Sequence, residues 1–158
     1  MKSNHALAPT TQKRFIVACR YKKGSAAEKA ALQLEDSMKL HAVASVIEET
    51  SGDETRAEFV RRIWHKFDRP IVWLDPETFI DRFPVVFSRI DADFAARRKE
   101  GGAIHTGPLY FGKSEAAGAL LDAWVRNARD YLDSSRDPLL DAWNLLSHQG
   151  SLRSFWLP

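Results

Sequence analysis

Residues 70 to 74, Pro-Ile-Val-Trp-Leu, run without a polar side chain between Arg69 and Asp75. A strand with one face in water alternates apolar and polar residues, whereas an unbroken apolar strand has to be covered on both faces, normally by helices. The segments around it have the patterning to provide that cover. From Arg14, "RFIVACRY" is a short apolar run rich in strand formers. In "KKGSAAEKAALQLEDSMKLH", Gly24 breaks the run, Ser25 and Glu28 have capping-box spacing, and Ala27, Ala31, Leu34 and Met38 form a helical stripe. "AVASVIEE" predicts a second strand, "SGDE" a loop, and "TRAEFVRRIWHKF" a second helix with Phe59, Ile63 and Phe67 on one face. Strand, helix, strand, helix, strand describes an α/β sheet with right-handed crossovers.

Beyond Asp75, "PETFIDRFPVVFSRI" is helical or irregular around Pro84, while "ADFAARR" and "AIHTGPLYFG" predict two further strands. Ser114 opens the amphipathic helix "SEAAGALLDAWVRNARDYL", and Asp137, with Pro138 at the first position, opens a shorter one. The closing "SFWLP" suits an edge strand. No internal repeat interrupts this order, and 158 residues suit one domain. The expected organisation is a flexible tail over residues 1–13 and a single compact domain over 14–158.

Composition removes several classes of function. Twenty-three lysines and arginines against 21 acids leave a formal charge of +2, which gives no basis for charge-driven binding to nucleic acid. The single cysteine, Cys19, cannot form an intrachain disulfide and sits in the apolar run "FIVAC", where a thiol acts as a small hydrophobe. Neither a signal-like stretch nor an apolar run of about 18 residues is present, so the expectation is a soluble cytoplasmic protein without a membrane span. His41, His65, His105 and His148 lack the spacing of metal ligands, and no Ser-His-Asp order, cysteine pair or glycine-rich phosphate loop is found. Trp64, Trp73, Trp124, Trp143 and Trp156 read as core, or as the surface of a homo-oligomer.

Asp75 and Glu77 stand where the apolar run ends. Ligands of open α/β sheets collect beyond the carboxyl ends of strands, and two acids one residue apart can offer oxygens to a hard divalent ion that bridges a substrate diphosphate. The same three residues also fit a helix start, with Asp75 as cap, Pro76 at the first position and Glu77 in the first turn. Spacing leaves both readings open. A second acid pair, Asp91 and Asp93, precedes the strand "FAAR" and reads as a turn at the opposite end of the sheet.

Taken in order, "FIVACRYKKGSAAEKAALQLEDSM", "RAEFVRRIW", "RPIVWLDPET", "IDADFAARR", "HTGPLYF", "AAGALLDAWV", "DPLLDAW" and "WLP" resemble the bacterial nucleotide-diphospho-sugar transferase family, over roughly Arg14 to Pro158. The resemblance implies a Rossmann-like, GT-A-type mixed sheet flanked by helices and the transfer of a sugar from a nucleotide diphosphate sugar to an acceptor hydroxyl. It makes Asp75 and Glu77 ligands of a divalent cation, Mn or Mg. It places Arg20 and Tyr21 near the base and ribose, Arg56 at the diphosphate, Thr106 and Gly107 along the donor sugar and acceptor side, and Asp137 as an acid that acts toward the acceptor hydroxyl or holds the sugar. The chain departs from the family pattern in three ways: Glu77 stands for a second aspartate, Pro138 stands for a glutamine, and no segment follows Pro158 to close over the donor. These departures keep two alternatives alongside the transferase, an inactive binding or regulatory domain of the same fold and a structural, oligomer-forming protein.

Overall fold

Helices cover the apolar strands on both faces, as the lack of polar alternation requires. The computed structural model describes residues 14–50 and 52–158, so the expected tail over residues 1–13 lies outside the described residues. In chain order the elements are β1 (Ile16–Tyr21), α1 (Ala26–Leu40), β2 (Ser45–Glu49), α2 (Arg56–Lys66), β3 (Ile71–Trp73), α3 (Val86–Arg89), β4 (Phe94–Arg98), β5 (Ile104–Phe111), α4 (Glu115–Asp130), α5 (Pro138–His148) and β6 (Ser154–Trp156). The strands form one six-stranded sheet in the order β2-β1-β3-β5-β4-β6. β1 pairs in parallel with β2 and β3, and β4 with β6, whereas β5 runs antiparallel to both β3 and β4. The closing "SFWLP" segment is the edge strand its composition suggested.

Period-two alternation divides β3 between two cores. Ile71 and Trp73 join a cluster with Phe59, Ile63, Leu120 and Trp124 from α2 and α4, while Val72 and Leu74 join one with Leu34, Met38 and Phe87 from α1 and α3. Fully burying a side chain of this size stabilises a fold by about 1.5–3 kcal/mol. The cover on both faces is therefore what makes an uninterrupted apolar strand favourable in water.

Three local expectations change. Ser25 is the N-cap of α1, but only its carbonyl accepts from the first turn, from the Glu28 N–H at 3.1 Å; its hydroxyl donates to the Lys22 carbonyl, and Glu28 reaches back to accept from the Gly24 N–H at 2.8 Å. No helix starts at Pro76: the Thr78 N–H closes a turn on the Asp75 carbonyl at 3.0 Å, and the connection stays irregular until α3. The third change concerns Asp93, which is more than a turn residue. It is buried, accepts from the Ser114 hydroxyl at 2.7 Å and from the Arg153 N–H at 2.8 Å, and so ties the starts of β4, α4 and β6 together. Gly112 completes this junction, donating its N–H to the Asp93 carbonyl at 2.9 Å, where a Cβ would lie 2.6 Å from the Ala92 carbonyl oxygen.

Two bonds to a carboxylate, each contributing about 1.5–3 kcal/mol, predict that Asp93→Ala lowers stability by roughly 2–4 kcal/mol and Asp93→Asn by less. Urea unfolding measures it; a change in Asp93→Ala within about 0.5 kcal/mol would contradict the junction.

Candidate functional site

Strand direction assembles the site. The carboxyl ends of β1, β2 and β3 lie together, and a helix following a parallel strand begins at that same end, which places the amino termini of α1 and α2 there. Because β5 runs the other way, its first residues reach this end too. The β3–β5 register pairs Trp73 with Leu109, and two residues further on Asp75 meets Gly107.

Both oxygens of Asp75 are oriented. The Trp73 indole Nε1 donates to Oδ1 at 3.2 Å, and the Thr106 hydroxyl donates to Oδ2 at 3.0 Å. A Cβ at Gly107 would lie 3.1 Å from Oδ2, so glycine is what lets the β5 backbone come this close to the carboxylate. Each oxygen keeps a lone pair beyond these bonds. Asp75 caps no helix, which removes one of the two readings its sequence context allowed.

Arg56, the first residue of α2, is held over this carboxylate end. It donates to the Thr106 carbonyl at 3.0 Å, and its guanidinium lies 5.7 Å from the Trp73 ring and 5.3 Å from the Trp124 ring. Burial lowers its pKa from the ordinary arginine value, and the charges of Asp75 and Asp137 offset that only in part. It remains a cation at neutral pH, half-buried between the two indoles.

Glu77 is exposed on the turn after Asp75 and makes no hydrogen bond or ion pair among the described residues. Its charge and that of Asp75 reach the buried thiol of Cys19, whose pKa burial, first, and these two acids, second, push up to about 12. Among the described residues no three His, Cys, Asp or Glu side chains gather as a metal cluster. An ion such as Mg or Mn is commonly bound by one or two carboxylates with substrate phosphates and water completing its shell, and Asp75 and Glu77 are the residues that could hold one here.

The remaining candidates occupy the periphery. Arg20 donates to the Glu54 carbonyl and lies 5.9 Å from the Phe59 ring, and burial lowers its pKa. Tyr21, at the end of β1, is half-buried. Asp137 caps α5, with Oδ1 accepting from the Leu139 and Leu140 N–H groups at 3.0 and 3.1 Å, while its charge reaches Arg56. Arg56, Asp75, Thr106 and Gly107 are thus in direct contact as a chain of neighbours, Asp137 is coupled to them electrostatically, and Arg20 and Tyr21 lie one strand away.

Sequence reasoning assigned Trp73 and Trp124 to the core, where both are buried, and missed their second part in holding Arg56 and Asp75. For Trp73 the signal was present: residues two apart on a strand share a face, so the indole before Asp75 had to flank it.

No family model matches the chain, and no characterised protein matches it by sequence. Among solved structures it is similar to a glycosyltransferase involved in the glycosylation of the major capsid of PBCV-1, with a TM-score of 0.72 and 12% identity over 90% of this chain and 80% of that one. At that identity the likeness concerns the fold: a single α/β domain with a glycosyltransferase-like mixed sheet. No helix among the described residues is long and apolar enough to cross a membrane.

Two measurements check this geometry. Removing the Arg56 bond and its two ring contacts predicts that Arg56→Ala loses about 1–3 kcal/mol in urea unfolding and that Arg56→Lys regains only part of it; no loss would contradict the arrangement. The Cys19 thiol favours the fold fully below its reference value of 9.0 and progressively less as pH rises from there toward about 12. The folded protein should therefore resist DTNB at about pH 8 and react on unfolding, whereas free-thiol rates in the folded state would contradict its burial.

Proposed function

We propose that the protein transfers a sugar from a nucleotide diphosphate sugar to an acceptor hydroxyl, as a member of the nucleotide-diphospho-sugar transferases it resembles. The observation that carries this reading is Asp75: a carboxylate at the carboxyl end of a central strand, fixed by Trp73 and Thr106, capping nothing, beside a half-buried arginine whose pKa burial lowers. A diphosphate would supply the negative charge that Arg56 lacks, and charge complementarity in a water-poor site is worth more than in bulk water.

In this reading Asp75 and Glu77 would hold a divalent cation, Mn or Mg, whose bound chemistry is to neutralise the diphosphate as it leaves. Arg56 binds the same diphosphate from the α2 side, where the helix amino terminus also favours an anion. Thr106 keeps Asp75 in place, and Gly107 leaves room for the donor sugar against the β5 backbone. Arg20 and Tyr21 line the base and ribose. Asp137 holds α5 with Oδ1 and turns Oδ2 to the acceptor, taking the hydroxyl proton as the acceptor oxygen bonds to the anomeric carbon and the bond from that carbon to the diphosphate breaks.

A second reading, a binding domain of the same fold without catalysis, is favoured by one feature: the Asp137 carboxylate is already engaged as the α5 cap, followed by Pro138.

Calorimetric titration of UDP and GDP, with Mn and then with chelator, tests both readings. The transferase predicts metal-dependent binding that falls at least about tenfold, roughly 1.4 kcal/mol, in Asp75→Asn. That variant keeps its local bonds, because the Asn carbonyl accepts from Trp73 and the Thr106 hydroxyl can turn to accept from the amide. Binding that is indifferent to metal favours the domain without catalysis. Equal binding by variant and parent, or none in either condition, overturns the assignment of Asp75.

A further inference from the structure

Arg98, at the end of β4, repeats beyond β5 the arrangement that holds Arg56. Its guanidinium lies 5.0 Å from the Trp143 ring and 4.5 Å from the Trp156 ring, and the two indoles meet edge to face at 5.2 Å. The Trp143 Nε1 donates to the Ser154 hydroxyl at 2.8 Å, which fixes one ring, and the β6 backbone carries the other. Unlike Arg56, Arg98 is exposed and makes no hydrogen bond or ion pair among the described residues. Of the acids on and before α5, Asp141 pairs with Arg136 at 2.7 Å and Asp137 caps the helix, so neither compensates Arg98. A guanidinium held against two rings keeps its planar fork of donors and has less rotamer freedom left to lose to a ligand.

Sheet register relates this cation to the candidate centre. Trp73, Leu109 and Ala96 lie side by side on β3, β5 and β4, and Trp156 pairs with Ala96 from β6. Because β3 and β4 both run opposite to β5, Asp75 and Arg98 stand two residues beyond that row in the same direction. Their backbones are two strand spacings apart, about 10 Å. Alternation also gives them one face: Trp73 and Ala96 belong to the same cluster, Asp75 bonds to Trp73, and the rings that hold Arg98 pack against that cluster. The register shift after Ala96 sets residues 105–108 of β5 opposite Arg97 alone, so Thr106 and Gly107 lie between Asp75 and Arg98.

The donor as proposed above occupies β1, β3 and β5 in turn, with the base and ribose at Arg20 and Tyr21, the diphosphate at Arg56 and Asp75, and the sugar at Thr106 and Gly107. The next strand is β4, and its cation has no part in that assignment. We infer that Arg98, held by Trp143 and Trp156, binds the acceptor, and that the acceptor is acidic: it carries a carboxylate or phosphate besides the hydroxyl that receives the sugar. The inference rests on the transferase reading. Either oxyanion matches two parallel N–H donors of a guanidinium, whereas a neutral acceptor would leave those donors to water.

The test follows amide and indole N–H shifts of the ¹⁵N-labelled protein with Mg and UDP or GDP present, at about 0.15 M salt, where diffuse attraction of anions is screened. Methyl β-D-glucuronide, glucose 6-phosphate, methyl β-D-glucoside and inorganic phosphate are titrated separately. The expected result is that one or both acidic sugars bind at least about tenfold tighter than the neutral glucoside and than inorganic phosphate, with shifts centred on Arg98, Trp143 and Trp156. The tighter of the two identifies the oxyanion. Arg98→Gln should lose the preference and Arg98→Lys regain only part of it, because lysine keeps the charge without the fork. The position is exposed, and retained dispersion of the spectrum reports folding in each variant. Equal binding of acidic and neutral sugars, inorganic phosphate binding as tightly as the acidic sugars, shifts centred on Arg20 or Arg56, or a preference that survives in Arg98→Gln overturns the assignment and leaves Arg98 a structural contact of two indoles. Nucleotide binding without an acid preference defeats this inference alone, while an acid preference without binding of either nucleotide defeats the transferase reading and the acceptor assignment with it.

Discussion

The reversal of β5 between β3 and β4 decides what Asp75 meets. In an all-parallel sheet the neighbour of β3 would bring its last residues to this end, followed by a loop. The reversed strand instead brings its first residues, Ile104 to Pro108, with Thr106 and Gly107 against the carboxylate and the Thr106 carbonyl within reach of Arg56. One backbone direction thus sets the orientation of the acid, the anchoring of the arginine and the need for a glycine.

Arg56 shows how the apolar core takes part in the site. Its guanidinium is flanked by two indoles of the α2/α4 cluster, so the packing that stabilises the fold also positions the cation. Burial lowers its pKa and the nearby carboxylates offset that only in part, so an arriving anion would complete the compensation. The site is rigid on the β3–β5 side, where hydrogen bonds fix each group, and open at Glu77, where an exposed side chain stands without a bonded partner among the described residues.

The strands and most helices were legible because local pattern determines them: the unbroken run at 70–74, the 3.6-residue stripes, and the caps at Ser114 and Asp137. Ser25 misled because capping-box spacing does not say whether the hydroxyl will accept from the helix or donate backwards to Lys22. The motif "DPE" has the residues of a helix start, and the crossover to β4 overrode them. The partners of Asp75 were beyond a local reading of the pattern, since Thr106 lies 31 residues away and the Arg56 bond spans 50. Such pairings follow from strand order and register. The resemblance named Arg56, Thr106 and Gly107 together, and the fold brings them together with Asp75; it gave no role to Trp73 or Trp124, or to Asp93 as a structural junction.

The most direct test of the central claim, that Asp75 and its neighbours form a nucleotide diphosphate and cation site, is paramagnetic broadening of amide resonances by Mn added with UDP or GDP. The account predicts broadening that depends on the nucleotide and is strongest at Asp75, Glu77, Thr106 and Gly107, weakening toward α4 and β6. Broadening centred elsewhere, or none with either nucleotide, would contradict it.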